Sequence, residues 1–584
     1  MVREGPLTWP VDICGRGRFV ISHCSRIDNL QRDLNRNREE ENKMINQISM
    51  MTLLLTSAVL LPSSPRIVNA RSTLERPNII FILADDQGWN GTSVQMHPDM
   101  LNSKSDYYRT PNIERLARAG LRFSNAYSPG PMCSPTRASL QTGKSPAQLR
   151  MTNVGGTRPA TPSQRLVLPP HSSTLSTDEI TIGETLKRAG YATAWFGKWH
   201  LGGDQGPAAH GYDEHDGPTG NADGNSKDPD NPKDIFGITN RGIAFIEKNA
   251  KSGKPFYLQL WHYAVHGAVQ TRAATEATYA ARPAGKTHQS AAFAAMTEDL
   301  DTSVGMILDK IDELAIADNT YIIYMSDHGA GLRLSSNSPL RQGKGTLWEG
   351  GLRVPLIIRG PEVKPGAFCD VPTVGWDLFP TFCALAGVQD DMPPGIEGGS
   401  LRPLFATGTG NVKRDRDGIA FHYPHYGQGG GGSNNSPHSV IVIDNYKLMK
   451  FYETNELYLF NLKEDIGEQR DLSSELTEKT AMMHQRLKDY LKSVNAGLPT
   501  PNQAFDPNAI ARSGRRGRRG ALSQRIADRK KELIAFEEAL EQGDSKKMGD
   551  LIAGMKQRFE SGPTRARRQQ PGRAGGTSAR EQRR

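Results

Sequence analysis

The fold of this chain is decided by one stretch, NIIFILA (Asn78–Ala84), which Asp85 and Asp86 follow directly. A nearly continuous apolar run of this length is typical of a strand that is buried on both faces. Sheets built from such strands carry helices on both sides. The stretch therefore indicates an α/β fold.

Strands and helices alternate in the segments that follow. Apolar residues between positions 296 and 314 recur at helical spacing and predict a long helix. Further strands are predicted at four places: 192–196, 256–261, 321–326 and 354–358. This alternation predicts a sheet sandwiched by helices.

Two other helices are indicated by residues that favour helix ends. Thr110 is placed to cap a helix that runs through Ala119, with a glycine directly after it. Thr181 and Glu184 have the spacing of a capping box and predict a second helix.

The character of the sequence changes around residues 402–417. Three short segments beyond this point are typical of a small antiparallel meander: 440–443, 447–452 and 456–461. A closing helix is predicted over 473–493. We therefore expect a larger α/β domain over 75–415 and a smaller C-terminal α+β subdomain over 416–498.

The net charge of +9 belongs to the C-terminal tail. Residues 501–584 hold 20 Lys and Arg against 10 Asp and Glu, a balance of +10, so the rest of the chain carries −1. A neutral body argues against a nucleic-acid partner. We expect a solvated tail, partly disordered and partly helical, and the alternative is a module that binds an acidic polymer or surface.

The N-terminal region contains an apolar run of twelve residues, 50–61, followed by Val68-Asn69-Ala70. This pattern predicts a signal peptide over 44–70 and export to the periplasm or the extracellular space. Residues 1–43 are then a non-native extension, and the alternative is a disordered extension before an internal hydrophobic segment. No other segment approaches transmembrane length, so we expect no transmembrane anchor.

Five cysteines are present, and two of them precede the expected cleavage site. The remaining three are Cys133, Cys369 and Cys383. Cys369 and Cys383 could form a disulfide with a short loop in an oxidising compartment. Two free cysteines are the alternative.

Cys133 opens the run CSPTRASLQTG, residues 133–143. Pro135 suits the first turn of a helix and Gly143 suits its end. Cys133 would therefore lie at a helix N-terminus, which favours an anion, and Arg137 would lie one turn further on. The alternative is a small buried cysteine beside a helix cap.

Acidic residues follow two predicted strands: Asp85 and Asp86 follow the first, and Asp327 with His328 follows the strand at 321–326. Ligands of open α/β sheets bind beyond the carboxyl ends of strands. Carboxylates favour a hard divalent cation, Ca²⁺ or Mg²⁺. Taken alone, such an acidic pair is also typical of a turn or helix cap.

Across residues 75–495 the chain resembles the type I, formylglycine-dependent sulfatases of the alkaline-phosphatase-like superfamily. The resemblance rests on motifs in the family's order: RPNIIFILADDQGW, CSPTRASLQTG, GKWHLG, AVHGA, SDHG and GKGTLWEGGLRVP. It implies an alkaline-phosphatase-like mixed sheet sandwiched by helices, with the smaller C-terminal subdomain beside it.

The resemblance also implies a metal site. The expected ligands are Asp85, Asp86, Asp327, His328 and the modified Cys133, holding one divalent cation, with Ca²⁺ preferred over Mg²⁺. His328 departs from the Asn that is commoner in the family, and both side chains offer a neutral donor.

A set of cationic or basic residues completes the implied site: Arg137, Lys198, His200, His266 and Lys344. By resemblance, Lys198 and Lys344 hold the sulfate oxygens, His266 protonates the leaving alcohol and His200 helps to regenerate the aldehyde. Lys198 and His200 are expected on the same side of an extended segment, because strand side chains alternate.

The implied reaction is hydrolysis of sulfate monoesters on carbohydrate or aryl substrates. A modifying enzyme converts Cys133 to formylglycine, whose hydrate attacks sulfur, expels the alcohol and then collapses to release sulfate. Two alternatives stand beside this reading: a phosphodiester or phosphonate monoester hydrolase, and an inert fold that binds sulfated polymers.

Two loops are candidates for the rim of the substrate pocket, residues 202–234 and 427–432, because binding residues concentrate on loops. Plain solvated loops are the alternative for both. The motifs do not identify the sulfated substrate.

Overall fold

The computed structural model describes residues 76–427, 436–507, 509, 539 and 544–548. The predicted extension at 1–43 and the predicted signal peptide at 44–70 lie outside the described residues. Most of the 427–432 rim and most of the 501–584 tail also lie outside them.

Connections of very different length, including a long one over residues 85–110, join the secondary-structure elements of the described residues. The strands are β1 (Asn78–Ala84), β2 (Leu121–Phe123), β3 (Ala126–Tyr127), β4 (Leu166–Val167), β5 (Ala192–Gly197), β6 (Glu214–His215), β7 (Phe256–Trp261), β8 (Thr320–Ser326), β9 (Leu356–Arg359), β10 (Phe368–Cys369), β11 (Thr373–Val374), β12 (Ile419–Tyr423), β13 (His438–Ile443), β14 (Tyr446–Phe451), β15 (Leu457–Asn461) and β16 (Thr500–Pro501). The α-helices are α1 (Pro111–Arg118), α2 (Cys133–Thr142), α3 (Pro146–Leu149), α4 (Ile182–Arg188), α5 (Ile235–Ser252), α6 (Ala273–Ala280), α7 (Ala291–Glu313), α8 (Glu349–Leu352), α9 (Leu378–Ala386) and α10 (Thr477–Ser493).

The large sheet has eight strands in the order β10-β2-β9-β8-β1-β7-β5-β6. Strand β1 is central and runs parallel to β7 and β8, and β5 runs parallel to β7. Strand β9 is antiparallel to β8 and β2, so the sheet is mixed. Because β1, β5, β7 and β8 are parallel, their carboxyl ends lie at one edge of the sheet.

Strand β1 is buried on both faces, as predicted. Ile80 and Ile82 pack in a cluster with residues of α5 and α7. Ile79, Phe81 and Leu83 pack in a second cluster with residues of α2, α4 and α9. The α/β sheet sandwiched by helices is therefore confirmed.

Helix α1 and strand β9 are present as predicted, but one predicted detail of each is wrong. Thr110 does not cap α1 through its side chain, because its hydroxyl oxygen accepts the N–H of Ser93 at 2.9 Å. Strand β9 begins at Leu356, two residues after its predicted start, because the N–H of Val354 donates to the carbonyl of Ala126 in β3. The capping box of α4 and the long helix α7 are confirmed.

The smaller C-terminal α+β unit is a four-stranded antiparallel sheet in the order β12-β13-β14-β15. Three of its strands were predicted and β12 was not. One face packs against α10, and the other packs against residues such as Trp348 and Trp376 of the main body. The closing helix, predicted over 473–493, is α10. It begins at Thr477 because residues 473–476 form a turn. The division of the chain between 415 and 416 stays a prediction.

Two further findings concern buried thiols and membrane crossing. Cys369 and Cys383 are buried and free, so the alternative of free cysteines holds in the structure. Within the described residues, no helix combines the length and apolar character that crossing a membrane requires.

Candidate active site

The acidic residues of the site follow the parallel strands β1 and β8. The backbone N–H of Asp327 donates to the carbonyl of Ala84 at 3.0 Å, and Asp327 Oδ1 accepts the N–H of Asp86 at 3.0 Å. These bonds continue the pairing of the two strands past their ends. Asp86 has a φ of +63°, which turns the chain so that two adjacent carboxylates serve the same site.

Cys133 is the first residue of α2, and its side chain is buried. The preceding residue, Met132, provides no side-chain acceptor for the first turn. Gly143 ends the helix with a φ of +68°, where a Cβ would lie 2.9 Å from atoms of Phe379 and Ile396. The predicted helix is confirmed, and its positive end faces the acidic residues.

Three predicted residues contact the sulfur of Cys133. Its Sγ lies 3.3 Å from Nε2 of His328, 3.6 Å from Oδ1 of Asp85 and 3.7 Å from Nζ of Lys344. The Cys133 position is therefore surrounded by groups of both charges.

Arg137 is fully buried behind the acidic residues. One terminal nitrogen of its guanidinium donates to the carbonyl of Lys198 at 2.7 Å. The other lies 3.2 Å from Oδ2 of Asp327 and 3.4 Å from Oδ2 of Asp85. A buried charge is stable only when it is paired, so Arg137 fixes both carboxylates in place.

Lys198 and His200 both reach the site, but for a different reason from the one predicted. Lys198 Nζ donates to Oδ2 of Asp85. The His200 ring interacts with Cys133. His200 has a φ of +58°, so this segment is not extended and strand alternation does not account for the shared direction. The carbonyl of His200 instead accepts the hydroxyl of Ser134, which ties the segment to α2 at 2.7 Å.

Lys344 and His266 lie on the other side of Cys133. Lys344 Nζ donates to Oδ1 of Asp86 at 2.6 Å. His266 is half-buried, and its Nδ1 contacts the carbonyl of Gly267. One donor atom each from Asp86, Cys133 and His266 lies within 4.8 Å of the others.

Four of the five expected metal ligands form one buried group. The donor atoms of Asp85, Cys133, Asp327 and His328 all lie within 4.8 Å of one another. Nδ1 of His328 donates to the carbonyl of Gly329 at 3.0 Å, so Nε2 faces the group. The donors fit a divalent cation, and an oxygen in place of the Cys133 sulfur would suit a hard cation better.

Charge within this buried site shifts several pKa values. Burial alone would raise the pKa of Asp85, but Lys198 and Arg137 hold it well below its usual range. Burial and Asp85 raise the pKa of the Cys133 thiol, but Lys198 and Lys344 outweigh them and hold it well below the ordinary value. The site therefore stabilises negative charge at position 133.

The two histidines beside Cys133 shift in opposite directions. Burial would lower the pKa of His328, but the carboxylate of Asp327 and the Cys133 sulfur raise it to about 9. Burial lowers the pKa of His200 below its ordinary value. His200 is therefore neutral near pH 7 and able to accept a proton.

All of the residues that the sequence predicted for the site lie together at the carboxyl edge of the large sheet: Asp85, Asp86, Cys133, Arg137, Lys198, His200, His266, Asp327, His328 and Lys344. Sequence reasoning missed Lys233, a buried lysine whose charge interacts with Asp85 and Asp86. A single lysine in a polar loop has no spacing pattern that distinguishes it.

Comparisons with known proteins address the same regions. The family model described as Sulfatase matches residues 77–388, and that of the N-sulphoglucosamine sulphohydrolase C-terminal region matches residues 342–496. The chain is 31% identical over 540 residues to a sulfatase of Formosa agariphila. The aligned region covers 78% of this chain and 95% of that protein.

Two other similarities concern a human enzyme and a solved structure. The chain is 32% identical over 373 residues to the N-acetylgalactosamine-6-sulfatase of Homo sapiens, with 58% of this chain and 68% of that one covered. The structure is similar to the crystal structure of Ps i-CgsB in complex with k-i-k-neocarrahexaose. The TM-score is 0.59 at 26% identity, and the match covers 71% of this chain and 93% of that chain.

Proposed function

Because the chain belongs to the sulfatase family and is a sulfuric ester hydrolase, we propose that it removes sulfate from saccharide sulfate monoesters. In this proposal a modifying enzyme converts Cys133 to formylglycine, and one divalent cation, with Ca²⁺ preferred, completes the site. One observation carries the proposal: carboxylates, lysines and histidines converge on the buried Cys133 at the N-terminus of α2.

The cation would be held by Asp85, Asp327, His328 and the residue at position 133, with Asp86 beside them. Bound there, it would supply Lewis-acid stabilisation of negative charge. Formylglycine would supply two hydroxyls on one carbon in its hydrated form, one to attack sulfur and one to allow sulfate to leave. Arg137 keeps the carboxylates of Asp85 and Asp327 oriented for this purpose.

Lys198 and Lys344 are proposed to bind the sulfate oxygens. Each ammonium already contacts a carboxylate, Asp85 for Lys198 and Asp86 for Lys344. These contacts fix the direction of the two long side chains before the substrate arrives. Donors that are oriented in advance stabilise developing charge without reorganisation, and each is worth about 10²–10³ in rate.

The two histidines are proposed to move protons. His266 is half-buried and therefore able to meet both the site and a substrate that enters from solvent. It would protonate the leaving alcohol oxygen. His200 is half-buried beside Cys133 and neutral near pH 7, so it would accept a proton during the release of sulfate.

The saccharide class is supported by the relatives. The human protein is an N-acetylgalactosamine-6-sulfatase, and Ps i-CgsB was crystallised with k-i-k-neocarrahexaose. We propose a sulfated saccharide as the substrate and export from the cytoplasm as the route by which the enzyme meets it.

Turnover by the purified, modified protein tests this function. We expect hydrolysis of an aryl sulfate to exceed that of the matching aryl phosphonate, and we expect at least one sulfated sugar in a panel to be hydrolysed. The Cys133→Ala variant serves as the control and should be inactive. Preference for the phosphonate, or turnover by Cys133→Ala within tenfold of the wild type, would contradict the proposal.

A further inference from the structure

Lys233 lies in a turn directly before α5, and its side chain is 1% exposed. The first turns of α5 pack against the end of β5, where a Cβ on Gly197 would lie 3.1 Å from Ile238. Lys198 follows Gly197 directly in the chain. The turn that holds Lys233 is therefore at the carboxyl edge of the sheet, beside the site already described.

The backbone around Lys233 is held in an unfavourable conformation. Lys233 and Asp234 have φ values of +55° and +52°, in the region that favours glycine. Asn231 Nδ2 donates to Oδ1 of Asp234 at 2.9 Å, and Arg241 pairs with Oδ2 of Asp234 at 2.7 Å. Such a conformation persists only where its surroundings enforce it, and these places cluster at functional sites.

A further hydrogen bond ties Lys233 to the segment that carries His266. Oε1 of Gln270 accepts the backbone N–H of Lys233 at 3.1 Å. Gln270 lies four residues after His266, the proposed proton donor to the leaving alcohol. Lys233 is therefore attached to the side of the site that meets the sugar.

The side chain of Lys233 lacks a partner within the described part of the protein and is therefore suited to bind a ligand. Its ammonium makes no hydrogen bond or ion pair to any residue in the described ranges, although its charge interacts with Asp85 and Asp86. A charge on a side chain that is almost wholly buried is unfavourable unless an anionic or polar group joins it. Lys198 and Lys344, in contrast, each have a carboxylate partner.

We propose that Lys233 binds a second anionic group, a sulfate or a carboxylate, on the saccharide whose sulfate ester is cleaved. The inference rests on the proposed function, and it narrows the substrate to saccharides that carry more than one negative charge. Lys233 acts as a specificity-determining residue, separate from the two lysines assigned to the sulfate that is removed.

The test compares sugars that share one cleavable sulfate and differ in the second group: none, a sulfate or a carboxylate. For Lys233→Gln we expect KM to rise about 10- to 100-fold on one of the doubly charged sugars. This is the loss of affinity that follows when one charge-assisted hydrogen bond is removed. The ratio of kcat/KM between that sugar and the monosulfated one should fall at least tenfold. Lys233→Arg should retain most of the ratio.

The matched control is Lys251→Gln, which removes an exposed lysine near the end of α5 and should leave the ratio unchanged. Thermal unfolding of each variant shows whether it is folded. An equal fall in kcat/KM on all three sugars in Lys233→Gln would overturn the inference. An unchanged ratio of kcat/KM in this variant would also overturn it.

Calorimetric binding to the Cys133→Ala background separates this inference from the proposed function. There, the doubly charged sugar should bind more tightly than the monosulfated one, and Lys233→Gln should remove the difference. This result would support the proposed binding role of Lys233 even if the wild type failed to turn over sulfate esters. Equal binding of the sugars would overturn the inference even if turnover succeeded.

Discussion

Lys344 links a carboxylate of the acidic group to the side chain at position 133: its Nζ lies 2.6 Å from Oδ1 of Asp86 and 3.7 Å from Sγ of Cys133. Burial would lower the pKa of Lys344, but Asp86 and Cys133 raise it. This lysine is therefore charged throughout the physiological range, and its direction is fixed by Asp86.

Replacing Lys344 by Met should lower kcat for an aryl sulfate about 10²–10³-fold, because one oriented cation is lost from the charge-stabilising set. Lys344→Arg should recover part of the activity. Lys364→Met, which removes an exposed lysine, is the control and should match the wild type. A loss below threefold in Lys344→Met would show that this lysine does not contact the reacting sulfate.

Asp327 should be required for metal binding. Its oxygens lie in the buried group with Asp85 and His328, and Arg137 orients it. Loss of a residue that only supports a metal ligand weakens binding about 10–100-fold. We expect Asp327→Asn to weaken Ca²⁺ binding, measured by calorimetry, by more than this. Asp309→Asn is the control, because Asp309 is an exposed partner of Arg115. Equal affinity of the wild type and Asp327→Asn would remove Asp327 from the metal site.

His438 should make the stability of the protein depend on pH. Its Nε2 accepts the backbone N–H of Leu347 at 2.9 Å, so the folded ring is neutral, and burial lowers its pKa to about 4. The unfolded chain binds the proton first as the pH falls below 6.5, so this contribution is complete above pH 6.5 and is lost towards pH 4.

The measurement is urea unfolding of the wild type and His438→Gln at pH 7.5 and pH 5.5. The stability advantage of the wild type should shrink by about 1.4 kcal/mol between the two pH values. His215→Gln, at an exposed position, should show no such change. An advantage that is constant or grows at the lower pH would contradict the assignment.

Lys447 should be essential for the stability of the contact between the C-terminal sheet and the main body. Its buried ammonium lies 2.8 Å from a carboxylate oxygen of Glu349 and 2.8 Å from one of Glu468. Lys447→Met leaves both carboxylates without this partner and should lower the free energy of unfolding by about 3–5 kcal/mol.

Adding Glu468→Gln to Lys447→Met should restore part of the loss, since one buried negative charge is removed. Lys463→Met, an exposed change nearby, should stay within about 0.5 kcal/mol of the wild type. A loss below about 1 kcal/mol in Lys447→Met would show that the pairing contributes little.

The sequence predicted the parts of this fold that depend on local patterns. Strand β1 was predicted to the residue because its apolar run ends abruptly at Asp85. Helix α2 was predicted because Pro135 and Gly143 define its first turn and its end. The predicted site residues came together because parallel strands place their carboxyl ends at one edge.

The features that were missed depend on tertiary contacts. His200 adopts a positive φ, which no residue-type pattern around it indicates. Lys447 and Glu349 form a buried ion pair, whereas charged residues in a sequence are read as exposed. Lys233 is buried in a turn that a hydrogen bond to Gln270 ties to a distant segment of the chain.

The aldehyde proposed at position 133 can be detected on the peptide that contains this residue. The protein should be produced together with a formylglycine-generating enzyme, digested, treated with a hydrazide probe and measured by mass spectrometry. We expect a peptide that has lost the Cys133 sulfur and reacts with the probe. A fully active enzyme whose Cys133 peptide keeps its sulfur and does not react with the hydrazide would contradict the proposal.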